Sequence, residues 1–162
     1  MMTPAIITVI PSYVIVRSLG LLNSIAGVCL PLLSTPTSVF LFKIFVDSIP
    51  NEVIESAKID GAGYMRIWAS IIIPLSIPMI GVIIVLNFWT AWYNFLWPII
   101  ALQSPSSYTF PVGLFHSFRT AYFVEKTPII AGALIAQIPV MILVLLFATY
   151  FIKGVTFIVA KR

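Results

Sequence analysis

Four acids, Asp47, Glu52, Glu55 and Asp60, and three bases, Lys43, Lys58 and Arg66, fall within one short stretch, and they are the residues most able to do chemistry. Two carboxylates at a suitable separation can act as general acid and base, here on a lipid head group at a membrane face. The same charges can instead rim a surface that docks another protein. Other reactive side chains are sparse. His116 is the single histidine and Cys29 the single cysteine, so neither a histidine–cysteine metal cluster nor an internal disulfide can be assembled. No Gly-x-x-x-x-Gly-Lys-Ser/Thr loop, Gly-x-Ser-x-Gly elbow or His-Glu-x-x-His pair occurs, which leaves no phosphate cradle, activated serine or zinc helix. Catalysis and a cofactor held by this chain are therefore not expected. The enzyme alternative, an integral-membrane enzyme with an acidic site at the cytoplasmic face, rests on the four acids alone. They lie in one glycine-terminated segment with no second inward-facing acidic cluster, an arrangement that suits docking better.

The elements that carry these residues are set by hydropathy. The 162 residues are 60% apolar and 9% charged, with a mean hydropathy of +1.11, whereas soluble domains carry about 25% charged residues. Uncharged runs cover 1–16, 18–42, 67–118 and 127–152, and a bilayer core is crossed by about 20 apolar residues. The expectation is an all-α integral membrane protein with one transmembrane domain over 1–162 and four crossings, at about 4–19, 24–45, 68–90 and 128–151. A cytoplasmic loop at 46–66 and an outer loop at 103–127 complete it. Burying the seven charges between Lys43 and Arg66 would cost on the order of 20 kcal/mol at about 2.5–3.5 kcal/mol each, so that loop lies in water or at the interface. The net charge of +4 reflects bases outside the spans and points to a membrane surface, not to nucleic acid.

The first span is short, holds Pro4 and Pro11, and lacks the positive charge that precedes a secretory signal. Asn23-Ser24 can start the second helix, and Pro31 and Pro36 predict a kink in it. Lys43, Lys58 and Arg66 in the loop, with Lys153, Lys161 and Arg162 in the tail, outnumber Arg17, Arg119 and Lys126. The positive-inside rule then places the loop and both termini in the cytoplasm. Phe88, Trp89, Trp92, Tyr93, Phe95 and Trp97 fall at the outer interface, where aromatic rings form a belt; the same rings could line a path for a substrate. Asn87, Asn94 and Trp92 are the candidates for a polar or stacking contact with substrate, although an intramembrane amide can equally bond a neighbouring helix. Gly132 and Ala136 have the small-residue spacing of close helix packing, and Pro139 is expected to kink that helix. Arg119, Glu125 and Lys126 read as an exposed rim of the outer loop.

Within 46–66 the local signals describe a short amphipathic helix. Ser48 is a cap candidate, Pro50 sits at the first turn and Glu52 lies near the positive end of the dipole. Ile49, Val53, Ile54 and Ala57 recur at helical spacing, and Ile49 to Ile59 offers an apolar docking face with a charged rim. Asp60-Gly61-Ala62-Gly63 stops the helix, with Gly61 free to turn left-handed and Asp60 available to cap the next element.

Glu55-Ser56-Ala57, three residues, Gly61, nine residues and Ile71-Ile72-Ile73-Pro74 resemble the coupling-loop motif in permease subunits of binding-protein-dependent ABC importers. The family pattern is Glu-Ala-Ala, three residues, Gly, nine residues, Ile-x-Leu-Pro; Ser56 and Ile73 are mild departures. Flanking text extends the similarity to the carbohydrate branch, of the maltose and glycerol-phosphate type: Phe45 to Glu52, Trp92-Tyr93-Asn94-Phe95-Leu96-Trp97-Pro98, and Tyr108-Thr109-Phe110-Pro111-Val112-Gly113-Leu114. The resemblance covers nearly the whole chain and corresponds to the C-terminal part of a six-span permease, so two N-terminal helices are expected to be missing; a non-transporting truncated remnant is the other outcome it allows. It implies a type I importer fold, and a sugar or polyol moved across a prokaryotic cytoplasmic membrane by alternating access. ATP would be used by a partner ATPase. Its implied partners are ATPase subunits, a second permease subunit, an extracytoplasmic substrate-binding protein that meets residues 103–127, and membrane lipid. It assigns coupling to Glu55, Ser56, Ala57, Asp60, Gly61 and Ala62.

Overall fold

The computed structural model describes residues 5–33, 35–118 and 126–159, and all regular structure among them is helical. A 3-10 turn, Ala5–Thr8, leads into α1, Val9–Ser18. The helix α2, Ile25–Cys29, tightens into a 3-10 turn through Leu32, and α3 is Pro36–Asp47. The amphipathic helix α4 is Asn51–Ile59. Next come α5, Tyr64–Ile67, a π-helical turn over Trp68–Ile72, and α6, Ile73–Trp92, which join into one helix of 29 residues. The short helices α7, Leu96–Ala101, and α8, Phe110–Ser117, follow. Last are α9, Lys126–Ile135, and α10, Gln137–Val159.

By length and composition Tyr64–Trp92 and Thr127–Ala148 can each cross a membrane, and Ile25–Leu32 with Pro36–Asp47 makes a third span if the two count as one broken segment. The expected first crossing, 4–19, is the helix Ile6–Ser18, which falls short of that length. The expected kink at 24–45 is a full break. Ser24 caps α2 by accepting from the Gly27 amide at 3.1 Å, and Thr35 caps a separate start by accepting from Ser38 at 3.2 Å, with Pro36 in the first turn where its missing N–H costs nothing. Two further expectations change. The loop 103–127 contains a 3-10 turn at Pro105–Ser107 and the helix α8, because Pro111 suits a first turn as well as a loop. The helix that carries the last expected span, 128–151, runs on beyond it, since α10 reaches Val159 and takes Lys153 into the helix. Arg119 and Glu125 of the expected rim lie outside the described residues, as does the Lys126 side chain.

The chain divides into two compact units, one of Met1–Leu33 and Phe88–Met141, the other of Ser34–Asn87 and Ile142–Arg162. In the first, α1 and α2 pack on α7 around Val16, Val28, Trp97, Ala101 and Leu102. The Trp97 indole donates to the Gly27 carbonyl at 3.2 Å, which removes it from the expected interfacial belt, whereas Trp89 is 53% exposed. Gly27 is obligatory in size, because a Cβ there would sit 2.0 Å from the Leu21 carbonyl oxygen. Gly132 receives the Leu114 side chain, whose Cδ1 would lie 2.4 Å from a Cβ, so the small residue seats α8 against α9. In the second unit Phe45, Ile49, Met79 and Val82 form the core, with Ile72 and Leu86 packed against it.

Asn23 holds the corner between α1 and α2. Its backbone is left-handed, φ 58°, a conformation Asn tolerates better than most side chains. Its Oδ1 accepts from the amides of Gln103 at 3.0 Å and Ser104 at 2.9 Å, its Nδ2 donates to Ser104 Oγ at 2.7 Å, and its own N–H donates to the Ala101 carbonyl at 2.8 Å.

Candidate functional site

The helix α4 begins after Pro50, whose φ of −58° and ψ of 134° make the entry without a side-chain cap. Ser48 is not that cap: its hydroxyl donates back to the Phe45 carbonyl at 2.6 Å and closes α3. The end of α4 matches expectation. Gly61 has φ +78°, its amide donates to the Lys58 carbonyl at 3.0 Å, and the Ala62 amide donates to the Ala57 carbonyl at 2.9 Å. This paired closure requires the left-handed residue and satisfies two carbonyls that a helix end leaves open. Asp60 does not cap the next helix; Gly63 occupies that position without a side-chain bond.

The faces of α4 divide differently from the sequence pattern. Ile49 and Ala57 are buried, and Ile49 packs with Phe45, Met79 and Val82, so the head of the segment is anchored to α3 and α6. Glu52, Glu55, Ser56, Lys58, Asp60 and Gly61 are exposed and Ala62 is half-buried. The outward apolar surface is supplied by Ile59, 86% exposed, with Tyr64 and Met65 beyond the glycine turn. The expected apolar docking face from Ile49 to Ile59 is thus divided: Ile49 and Ala57 are buried in the protein itself, Ile54 is half-buried, and Val53 and Ile59 are exposed. The Lys58 ammonium lies 5.9 Å from the centre of the Tyr64 ring, a cation–π contact that spans the turn. Two cavities flank that turn. One of about 210 Å³ is bordered by Ala57, Asp60, Ala62, Arg66, Ser70 and Ile71, the other, of about 290 Å³, by Lys58, Gly61, Ala62, Gly63, Tyr64 and Ile67. Among the acids weighed for an enzyme, Asp47 is paired with Lys43 at 2.5 Å, and Glu52 and Glu55 stand on the exposed helix surface. Among the described residues no three His, Cys, Asp or Glu side chains gather where a metal could be held.

The three candidates for a substrate path each carry a bond within the fold. Asn87 Oδ1 accepts from Ser38 Oγ at 2.7 Å and from Thr35 Oγ1 at 3.3 Å, tying α6 to the start of α3. The Trp92 indole donates to the Ala136 carbonyl at 3.1 Å and stacks on Phe88 and Phe110. Asn94 Oδ1 accepts from the Trp97 amide at 3.1 Å and opens α7. Asn94 also borders a cavity of about 170 Å³ whose lining includes Thr8, Ser12, Leu32 and Trp97. Asn23 stands before the Ser24 cap as its sequence position predicts, but its bonds to Gln103 and Ser104 have no local signal.

Residues 1–157 match the family described as binding-protein-dependent transport system inner membrane component. The chain is 36% identical over 156 residues to the arabinooligosaccharides transport system permease protein AraQ of Bacillus subtilis (strain 168), covering 96% of this chain and 55% of that protein. It is 32% identical over 155 residues to the sn-glycerol-3-phosphate transport system permease protein UgpE of Yersinia pestis bv. Antiqua (strain Antiqua), with 95% and 55% covered. Against the UgpE protein of Brucella abortus (strain 2308) the figure is 33% over 157 residues, again with 95% and 55% covered. The chain thus spans about half the length of the curated relatives it matches.

Proposed function

Because the chain belongs to the family of binding-protein-dependent transport system inner membrane components, we propose that it is the membrane-spanning permease part of an ABC importer for a sugar or related polyol. A separate ATPase drives alternating access, and Glu55, Ser56, Ala57, Asp60, Gly61 and Ala62 couple the two. The observation that carries this reading is the construction of α4. It is a short helix fixed to the transmembrane core at one end by Ile49, closed at the other by left-handed Gly61, and exposed along the charged side between them. Such an element can be pushed as a rigid body, and its movement reaches α6 because Ile49 packs on Met79 and Val82. Ile59, Tyr64 and Met65 supply the apolar centre of the docking surface, with Glu55, Asp60 and Arg66 as its rim.

In this reading one domain crosses the cytoplasmic membrane four times, with spans at about 4–19, 24–45, 68–90 and 128–151 and both termini inside, and a second permease subunit completes the central path. The names of the AraQ and UgpE relatives support the substrate class. Asn94 is the candidate substrate contact with most support, since it alone of Asn87, Trp92 and Asn94 borders the cavity of about 170 Å³. The test is affinity purification of the tagged chain from its native membrane in mild detergent, with co-purifying polypeptides identified by mass spectrometry. Recovery of an ATPase, a second permease and an extracytoplasmic binding protein is expected, and the ligand of that binding protein names the substrate. Recovery of the chain by itself would refute the importer reading for this polypeptide.

A further inference from the structure

We infer that Pro74 and Ser76 make the widened turn Trp68–Ile72 a hinge between the amphipathic segment and the membrane helix α6, and that this hinge sets how far movement of α4 is passed on. The inference rests on the coupling role proposed above and adds to it the device that transmits the movement.

In an α-helix the residue at position 74 would donate its N–H to the Ser70 carbonyl, and proline has no N–H to give. The helix answers one turn earlier. Ile73 donates five residues back, to the Trp68 carbonyl, and Trp68–Ile72 is π-helical. Single π turns hold weaker backbone bonds than the helix around them and recur where a helix must bend for function. Ser76, which is fully buried, donates its hydroxyl to the Ile72 carbonyl at 2.7 Å. A back-bond of this kind competes with the helix's own ladder and is a common cause of helix bending. The two residues act on carbonyls two positions apart, Ser70 and Ile72, from one side of the break.

The surroundings allow the turn to move. Ser70 and Ile71 border the cavity of about 210 Å³ whose opposite lining is Ala57, Asp60 and Ala62, the closing turn of α4. Space therefore lies where the hinge would shift against the amphipathic segment. Ile49 fixes the head of the segment to Met79 and Val82 of α6, beside Phe45 of α3, so the turn governs how far the segment's other end, at Gly61, can tilt. A soft turn between a docked segment and a packed helix lets the first tilt without melting the second.

Hydrogen exchange of the full chain in detergent micelles, read by mass spectrometry, decides the structural half. Amides of 69–73 should exchange faster than those of 79–86. Pro74→Ala supplies an N–H to the Ser70 carbonyl and lets the turn return to α-helical bonding, which should slow the former about tenfold; Ser76→Ala should slow them less, and Ser76→Thr, which keeps the hydroxyl, should match the parent. Unchanged exchange in Pro74→Ala would overturn the hinge. In the assembled transporter Pro74→Ala should keep the ATPase bound while the ratio of substrate moved to ATP hydrolysed falls about tenfold, and Ser76→Thr should hold the parent ratio. Slowed exchange with an unchanged ratio would overturn the hinge's part in coupling. If instead Glu55→Lys leaves ATPase binding and transport intact, the coupling reading fails while the exchange result still stands on its own.

Discussion

Replacing Gly61 separates two reasons for a glycine in the coupling segment. At φ +78° a Cβ would meet nothing within 4 Å, so within this chain the whole penalty is conformational. An L-residue in the left-handed region costs roughly 1–2 kcal/mol, with Asn the least affected, and a β-branched residue is disfavoured further. Left-handed geometry at 61 is what allows the Gly61–Lys58 and Ala62–Ala57 bonds to close α4. One or two kcal/mol is a factor of roughly 5–30 in the balance between the closed turn and an open one. Gly61→Asn should therefore retain most ATPase association and transport, Gly61→Ala should lose about fivefold, and Gly61→Val should lose the most. The assay is ATPase co-purification with the chain, followed by uptake in vesicles at fixed protein amount. The conformational argument is refuted if Asn, Ala and Val are equally damaging. That pattern would mean that a partner's surface approaches residue 61 so closely that any Cβ is excluded.

Asn23→Ala removes three side-chain hydrogen bonds and leaves alanine in a left-handed backbone. At about 1 kcal/mol per bond, discounted for partial exposure, and about 1 kcal/mol for the backbone, the loss is about 3 kcal/mol. Asn23→Gly should recover the backbone share; thermal unfolding in detergent measures both, and equal melting of the two variants would disprove the left-handed contribution. The two close glycines should behave unlike one another. Gly27→Ala drives a methyl into the Leu21 backbone oxygen and should prevent unit one from folding. Gly132→Ala meets only the end of the Leu114 side chain and should cost about 1–3 kcal/mol, most of it relieved by Leu114→Ala in the double variant. Limited proteolysis and melting read the pair, and a Gly27→Ala protein as stable as the parent would contradict the packing described.

What could be read along the chain was whatever is set by neighbours in sequence. The helix from Asn51 to Ile59, the left-handed Gly61, the Ser24 cap and the long apolar helices all follow from residue type and spacing. The capping roles of Ser48 and Asp60 did not, because a hydroxyl or carboxylate between two helices can serve either end and tertiary position decides which. Thr35-Pro36 carries a start signal as strong as Asn23-Ser24, but it lies inside a hydrophobic run long enough to be one span, and hydropathy does not register a cap within such a run. The inward placement of Ile49 was hidden for another reason. Periodicity gives the apolar face of a helix but not whether that face meets the protein's own core or a partner. The bonds of Asn87 to Ser38 and of Asn23 to Ser104 join residues distant in sequence, and nothing local announces them.

The bonds from Asn23 to Gln103 and Ser104 also set an order of events in biosynthesis. The first unit is assembled from Met1–Leu33 and Phe88–Met141, so α1 and α2 are synthesised before their packing partner α7 exists. At about 5–20 residues per second, α1 and α2 wait on the order of several seconds for Trp97 and Ser104 to emerge. During that interval the faces of α1 and α2 that α7 will cover, and the Asn23 side chain, are without those partners. These contacts therefore wait until residue 104 has been made, and slowing translation between Ser34 and Asn87 would lengthen that wait without altering a single contact of the finished fold.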